Sequence, residues 1–257
     1  DAPPLAALRA LQCALPEDSL REVVPHYSLK FAYGGSAERT HALFDGFCEA
    51  VAALPTPPRQ LLLVSGSGKR AFDTVDCLRA LQVEPRVEIG VAFNPFFPDA
   101  AARERERERL GQKLATGRVS AVWLQLGSDV DLLEEGLCFV RDAQPPARPL
   151  RLYGSLFVPS RQLLARMRFR PWNGVFLDAN YLGSVDAAEA VTRRVVELYA
   201  RHGVEPFIET SVTTEAQWAH VRQLCAPRGA VGAGSLPATK ADRAAGARLA
   251  MPALEGP

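Results

Sequence analysis

The stretch QLLLVSGSGKR, Gln60 to Arg70, carries four apolar residues into Ser-Gly-Ser-Gly-Lys-Arg, the composition of a strand that ends on a phosphate cradle. A P-loop needs G-x-x-x-x-G-K-[ST]; counted back from Gly68 the first glycine position holds Leu63, and Arg70 stands where the metal-binding hydroxyl belongs. A dinucleotide-binding turn fails as well, because Ala71 occupies the place of the helix-packing glycine. What the stretch retains is a strand end at which a ligand could approach the backbone closely.

Other residues offer chemistry singly. Glu209, in PFIETSV, puts a carboxylate near the C-terminal end of an apolar run. If buried and unpaired it would have a raised pKa and serve as an acid; pairing with a nearby Lys or Arg is the equal alternative. Gln125 places an amide on an apolar strand, where it needs partners. His26 opens a strand, and reads either as a hydrogen-bonded rim histidine or as a ligand contact. His41, His202 and His220 fall on helices or a helix end without metal-ligand spacing, so no metal site is expected. Trp123 and Tyr153 read as core, and PWNG, Pro171 to Gly174, as a turn.

The chain that must position these groups has 257 residues, enough for one large α/β core. Its 30 basic and 29 acidic residues nearly cancel, which points away from nucleic acid and acidic membranes and towards a small molecule as partner. Five cysteines (Cys13, Cys48, Cys77, Cys138, Cys225) are odd in number, widely spaced and free of C-x-x-C, the pattern of reduced thiols in a cytoplasmic protein. No apolar run approaches the roughly twenty residues of a membrane span.

Along the chain, strand-like runs alternate with amphipathic helices: HYSLKFA, QLLLVSG, RVEIGVAF, VSAVWLQLG, LRLYGSLF and VEPFIETSV, with NGVFLD as a candidate seventh strand. Such alternation at even spacing predicts βαβ units closing into a (β/α)8 TIM-type parallel barrel. Eight strands are needed and six or seven are present, and the sequence opens on Asp1. The expectation is therefore an incomplete barrel over 1–225 whose first two strand-helix units lie upstream. Residues 226–257, rich in Ala, Gly and Pro, are expected to be a disordered tail. The repeat RERERER, Arg103 to Arg109, reads as a solvated helix face of i,i+3 and i,i+4 ion pairs.

From Leu5 to about Leu224 the order of segments resembles the catalytic barrel of the methylenetetrahydrofolate reductase family from its third strand onward. VVPHYSLKFAYGG is similar to that family's P-H-L-T-C strand, RQLLLVSG to the strand ending A-L-R-G-D, and VEIGVAFNPFFPDA to V-A-x-Y-P-x-x-H-P-E-A. RLGQKLATGRVSAVWLQ resembles the L-K-x-K run that ends in T-Q, and HGVEPFIETSV the H-F-Y-T-L-N strand. The resemblance implies a cytoplasmic flavoprotein of one-carbon metabolism and methionine biosynthesis. It would pass a hydride from NADH or NADPH through FAD to 5,10-methylenetetrahydrofolate. It assigns His26, Ser65, Gly66, Ser67, Phe93 and Lys113 to the flavin and Gln125 to the folate.

The departures matter equally. Ser65 and Ser67 stand where the family has Arg and Asp, and supply neither charge. The family's glutamate general acid, in an E-F-F-P-P-like stretch, has no counterpart, which leaves Glu209 as the candidate acid. The alternative to a reductase is a non-catalytic barrel paralogue acting as a binding or assembly partner. Homo-oligomerisation is left open by the sequence.

Overall fold

The computed structural model describes residues 3–66, 72–81, 86–145 and 149–226. Two short helices, α1 (Pro3–Gln12) and α2 (Glu17–Glu22), precede a repeating strand-helix chain: β1 (His26–Ser28), α3 (Ala37–Ala52), β2 (Gln60–Val64), α4 (Thr74–Ala80), β3 (Glu88–Phe93), α5 (Ala100–Leu114), β4 (Val119–Leu124), α6 (Val130–Ala143) and β5 (Arg151–Leu156). Three helices follow, α7 (Arg161–Phe169), α8 (Ala179–Gly183) and α9 (Val185–His202), then β6 (Val204–Ile208) and α10 (Glu215–Cys225).

The six strands form one parallel sheet in the order β1-β2-β3-β4-β5-β6, with no reversal, as an incomplete barrel requires. An open doubly wound sheet would reverse its strand order at a switch point. NGVFLD is not a seventh strand: it touches the sheet through a single bridge, Phe176 to Gly127. HYSLKFA is shorter than expected as a strand. After Ser28 the amides of Phe31 and Ala32 turn back to the Ser28 carbonyl, leaving Phe31 86% exposed. The proposed tail, 226–257, lies outside the described residues apart from Ala226.

Seven consecutive helices begin in the same way. Ser36, Asp73, Asp99, Asp129, Ser160, Asp178 and Ser184 each cap α3 to α9 by accepting a backbone N–H within the first turn. Each such cap contributes about 0.5–2 kcal/mol and fixes where its helix starts. The helices then bury one face against the sheet. Phe44, Leu78, Leu110 and Leu133 meet Leu61, Leu63, Val91 and Val122, all fully buried. Burying one such side chain contributes roughly 1.5–3 kcal/mol.

The sheet is curled, and side-chain contacts show it. Strands lie about 4.8 Å apart, so β1 and β4 would be roughly 14 Å apart in a flat sheet. Instead the rings of His26 on β1 and Trp123 on β4 stand 6.1 Å apart, and Trp123 also meets Phe207 on β6 at 5.3 Å. These side chains define a concave face opposite the helices.

Helix-to-sheet packing is tightest at Gly154, where a Cβ would lie 2.2 Å from the ring of Tyr199 on α9. Gly154→Ala should destabilise the fold by about 1–3 kcal/mol through overpacking. At exposed Gly46 in α3 a Cβ would have no neighbour within 4 Å, so Gly46→Ala should stabilise by roughly 0.5–1 kcal/mol. Urea midpoints moving in opposite directions for the two variants would confirm both placements.

Candidate functional site

The concave face is built on alternation. In β4, Val122 and Leu124 point to the helices, so Ala121, Trp123 and Gln125 face the interior of the curl. Trp123 stacks on Tyr153 of β5, with ring centroids 4.3 Å apart at 19°, while His26 and Phe207 approach it edge-on. Each aromatic pair adds about 0.5–1.5 kcal/mol beyond its burial. The indole is fixed in direction: its Nε1 donates to Gln60 Oε1 (3.2 Å), and a Cβ on Gly90 would lie 2.7 Å from that same nitrogen. Gln60 is 2% exposed, and its Nε2 has no acceptor among the described residues. Below the aromatic layer Glu88 pairs with Arg151. His26 stands at the exposed edge of the layer, and partial desolvation against these rings holds its imidazole pKa below the usual 6.5.

At the C-terminal mouth, Asn94, Gln125 and Gly174 converge. Gln125 N–H donates to the Phe93 carbonyl (2.9 Å), which sets Asn94 and Gln125 side by side. Asn94 Nδ2 donates to the Gly174 carbonyl (2.9 Å), and its Oδ1 accepts from Phe96 N–H (3.1 Å), so one of its two N–H groups tethers the segment around Gly174. Gly174 lies at φ +82°, in the turn that PWNG predicts. Gln125 Oε1 accepts from Leu126 N–H (2.9 Å), while its Nε2 has no acceptor among the described residues. The mouth thus presents the Gln125 amide nitrogen, without an acceptor among the described residues, above an aromatic layer.

A second polar cluster surrounds the end of β2. Ser65 Oγ is hydrogen-bonded to Thr74 Oγ1, accepts from Thr74 N–H (3.2 Å) and lies 3.4 Å from Arg109 Nη2, which saturates the hydroxyl. Arg109 also pairs with Asp73 (3.0 Å). Lys113 is 5% exposed, and its Nζ donates to the Ala92 carbonyl (2.8 Å). Burial lowers its pKa; the Glu106 carboxylate opposes this, Arg109 adds to it and Asp73 opposes it. Glu106 in turn accepts from Asn94 N–H (3.3 Å), joining this cluster to the mouth.

The residues nominated from sequence therefore separate. His26 and Gln125 share the concave face, with His26 in register, through Leu62 and Gly90, with Ala121, four residues before Gln125. Ser65 and Lys113 belong to the ionic cluster, both already engaged. Gly66 lies at φ +79°, and a Cβ there would meet Lys30 Cβ at 2.7 Å, so both the backbone and the packing call for glycine. Phe93 turns away from the mouth into the helix layer, 1% exposed and against Phe139. Glu209 sits half-buried just past β6, its N–H bonded to the Leu156 carbonyl; its charge reaches Tyr199, whose pKa burial already raises. Ser67 lies outside the described residues.

The RERERER face is not simply solvated. Arg103 donates to the Phe97 and Pro98 carbonyls, Arg107 pairs with Glu135, and Arg109 and Glu106 hold the ends of β2 and β3. Trp123, Tyr153, Gln60 and Asn94 were not nominated. A Trp and a Gln on alternate positions of one strand, Trp123 and Gln125, is the signal that could have found the layer.

Among the described residues no group of three or more His, Cys, Asp or Glu could hold a metal, and no helix is long and apolar enough to cross a membrane. All five cysteines are free; burial pushes Cys48 up to about 12 and Cys77 higher, which makes both inert.

No known family model and no curated protein matches the chain. Among solved structures it is similar to an uncharacterized protein from Clostridium thermocellum that binds two copies of 5-methyl-5,6,7,8-tetrahydrofolic acid. The TM-score is 0.51 at 13% sequence identity, over 79% of this chain and 71% of that one, a likeness of fold.

The buried lysine gives a pH test. Its folded-state pKa lies below 10.5, so between the two values the unfolded chain binds the extra proton and stability rises with pH. Lys113→Met should lose that contribution. The wild-type urea midpoint, taken relative to the variant's, should climb as the pH rises through the folded-state pKa towards 10.5; a constant offset would mean that the lysine is not desolvated.

Proposed function

We propose that this chain binds a reduced folate at the mouth of its concave face. The pterin ring would lie above the Trp123–Tyr153 layer and accept a hydrogen bond from Gln125 Nε2. The observation that carries this reading is the free Gln125 donor, held directly above stacked aromatic rings at the strand ends where parallel α/β barrels place their sites. A planar heterocycle with acceptor atoms at its edge suits an apolar site with few fixed polar groups. The fold shared with a protein that binds 5-methyltetrahydrofolate supports the choice of ligand.

Flavin-dependent reduction is the second reading, favoured by His26 and Gln125 lying on one face as the family resemblance expects. A bound FAD would supply hydride transfer from NADH or NADPH. The groups assigned to it fit poorly: Ser65 is saturated, Lys113 is committed to a backbone carbonyl, and Phe93 faces the helices. These engagements weigh towards binding without hydride transfer.

Titration of the protein with 5-methyltetrahydrofolate, followed by tryptophan fluorescence, should give saturable quenching. Gln125→Ala should weaken binding about 5- to 10-fold, the equivalent of one hydrogen bond of roughly 1–1.5 kcal/mol. A non-saturable response would reject folate binding, whereas a purified protein carrying the visible absorbance of a flavin would restore the second reading.

A further inference from the structure

A cavity of about 310 Å³ lies where the β3–α5 loop, the start of α6 and residues 171–182 meet. It is distinct from the concave mouth, since neither Trp123, Tyr153 nor Gln125 lines it. Its walls are apolar and partly aromatic, from Phe96, Leu132, Met167, Val175, Phe176 and Leu182. Its size is at the low end for ligand pockets, suited to a body of one or two rings.

The polar side chains on its lining are Ser128, Asp129 and Asp178, and no Lys, Arg or His is among the described lining residues. Ser128 offers no spare proton, because its hydroxyl donates to Asp178 Oδ2 (2.8 Å) while accepting from Asp178 N–H (2.8 Å). Asp178 Oδ1 caps α8 through Tyr181 N–H (2.7 Å). Asp129 uses Oδ1 to accept from Asp131 and Leu132 N–H, while Oδ2 carries no hydrogen bond among the described residues and the residue is exposed at the rim. The side chains thus present acceptors and negative charge over aromatic walls, with no side-chain donor left over. An anionic or acceptor-only molecule would find no side-chain partner there. A protonated amine would gain a carboxylate and the faces of Phe96 or Phe176 together.

The geometry points to a second binding site, for a small organic ammonium ion with an aromatic or branched apolar body, its charge at Asp129 and its body between Phe96, Phe176 and Met167. This chemistry is the opposite of what the mouth selects, where Gln125 donates.

Calorimetric titration of the whole chain with 2-phenylethylamine, 2-phenylethanol and 3-phenylpropanoate compares cation, neutral and anion on one body. The amine should bind about tenfold more tightly than the alcohol, and the acid should not bind. Asp129→Asn, which keeps a competent helix cap, should reduce the preference for the amine about fivefold and leave the alcohol unchanged. Leu132→Trp, at a half-buried lining position, should abolish binding of both, and Gln125→Ala should alter neither. Equal binding of acid and amine, binding by none of the three, or amine binding untouched by both Asp129→Asn and Leu132→Trp would overturn the assignment.

Discussion

Trp123 donates its indole N–H to Gln60 at a point where any side chain on residue 90 would collide with it. The interior of the curl depends on this arrangement. A six-stranded parallel sheet without a closed ring has a face to fill, and a single bicyclic ring, stacked on Tyr153 and met by His26 and Phe207, fills it from the middle strand outward. Gly90 makes the room and Gln60 fixes the direction. Because the indole is locked, the next residue on the same face, Gln125, stands at the mouth with a defined orientation.

The ends of β2 and β3 rest on a different force. There the helix face of alternating Arg and Glu supplies ions that act as struts: Arg109 to Asp73 and Ser65, Glu106 to Asn94, Lys113 to Ala92. An exposed ion pair typically contributes no more than about 1 kcal/mol. Lys113 is another matter, since a desolvated ammonium costs the fold energy unless the carbonyl it reaches and the nearby carboxylates offset that cost.

The barrel architecture was legible in the sequence because its signal is repetitive. Strand-like runs, amphipathic helices and even spacing recur in unit after unit, and each repetition corrects the last. The site was less legible because its residues are single. Phe93 and Asn94 are neighbours on opposite faces, and a sequence pattern matched by position assigned the wrong one of the two to the mouth. Trp123 looked like core, and it is buried; nothing local says that its neighbours are polar. The Arg and Glu repeat looked solvated because i,i+4 spacing satisfies surface pairing as well as it satisfies tertiary contacts. A glycine's packing is likewise invisible: nothing in the sequence shows that Gly66 leaves room for Lys30.

The segment from Pro171 to Asp178 is held to the sheet by the Asn94–Gly174 bond, the Gly127–Phe176 bridge and the Ser128–Asp178 pair. The longest of these tethers, Asn94–Gly174, joins residues 80 positions apart, a longer separation than that of any residues paired between neighbouring strands. Closing the longer loops costs more chain entropy and rewards it later, so contacts of this kind form late on a folding route dominated by local units. The strap should therefore be the last part of the chain to acquire amide protection in pulsed hydrogen exchange, after β3 and β4 are already paired. A refolding intermediate with a finished sheet and an unfastened strap would expose Phe96, Val175 and Phe176 together, a sticky patch that links the slow step of folding to aggregation.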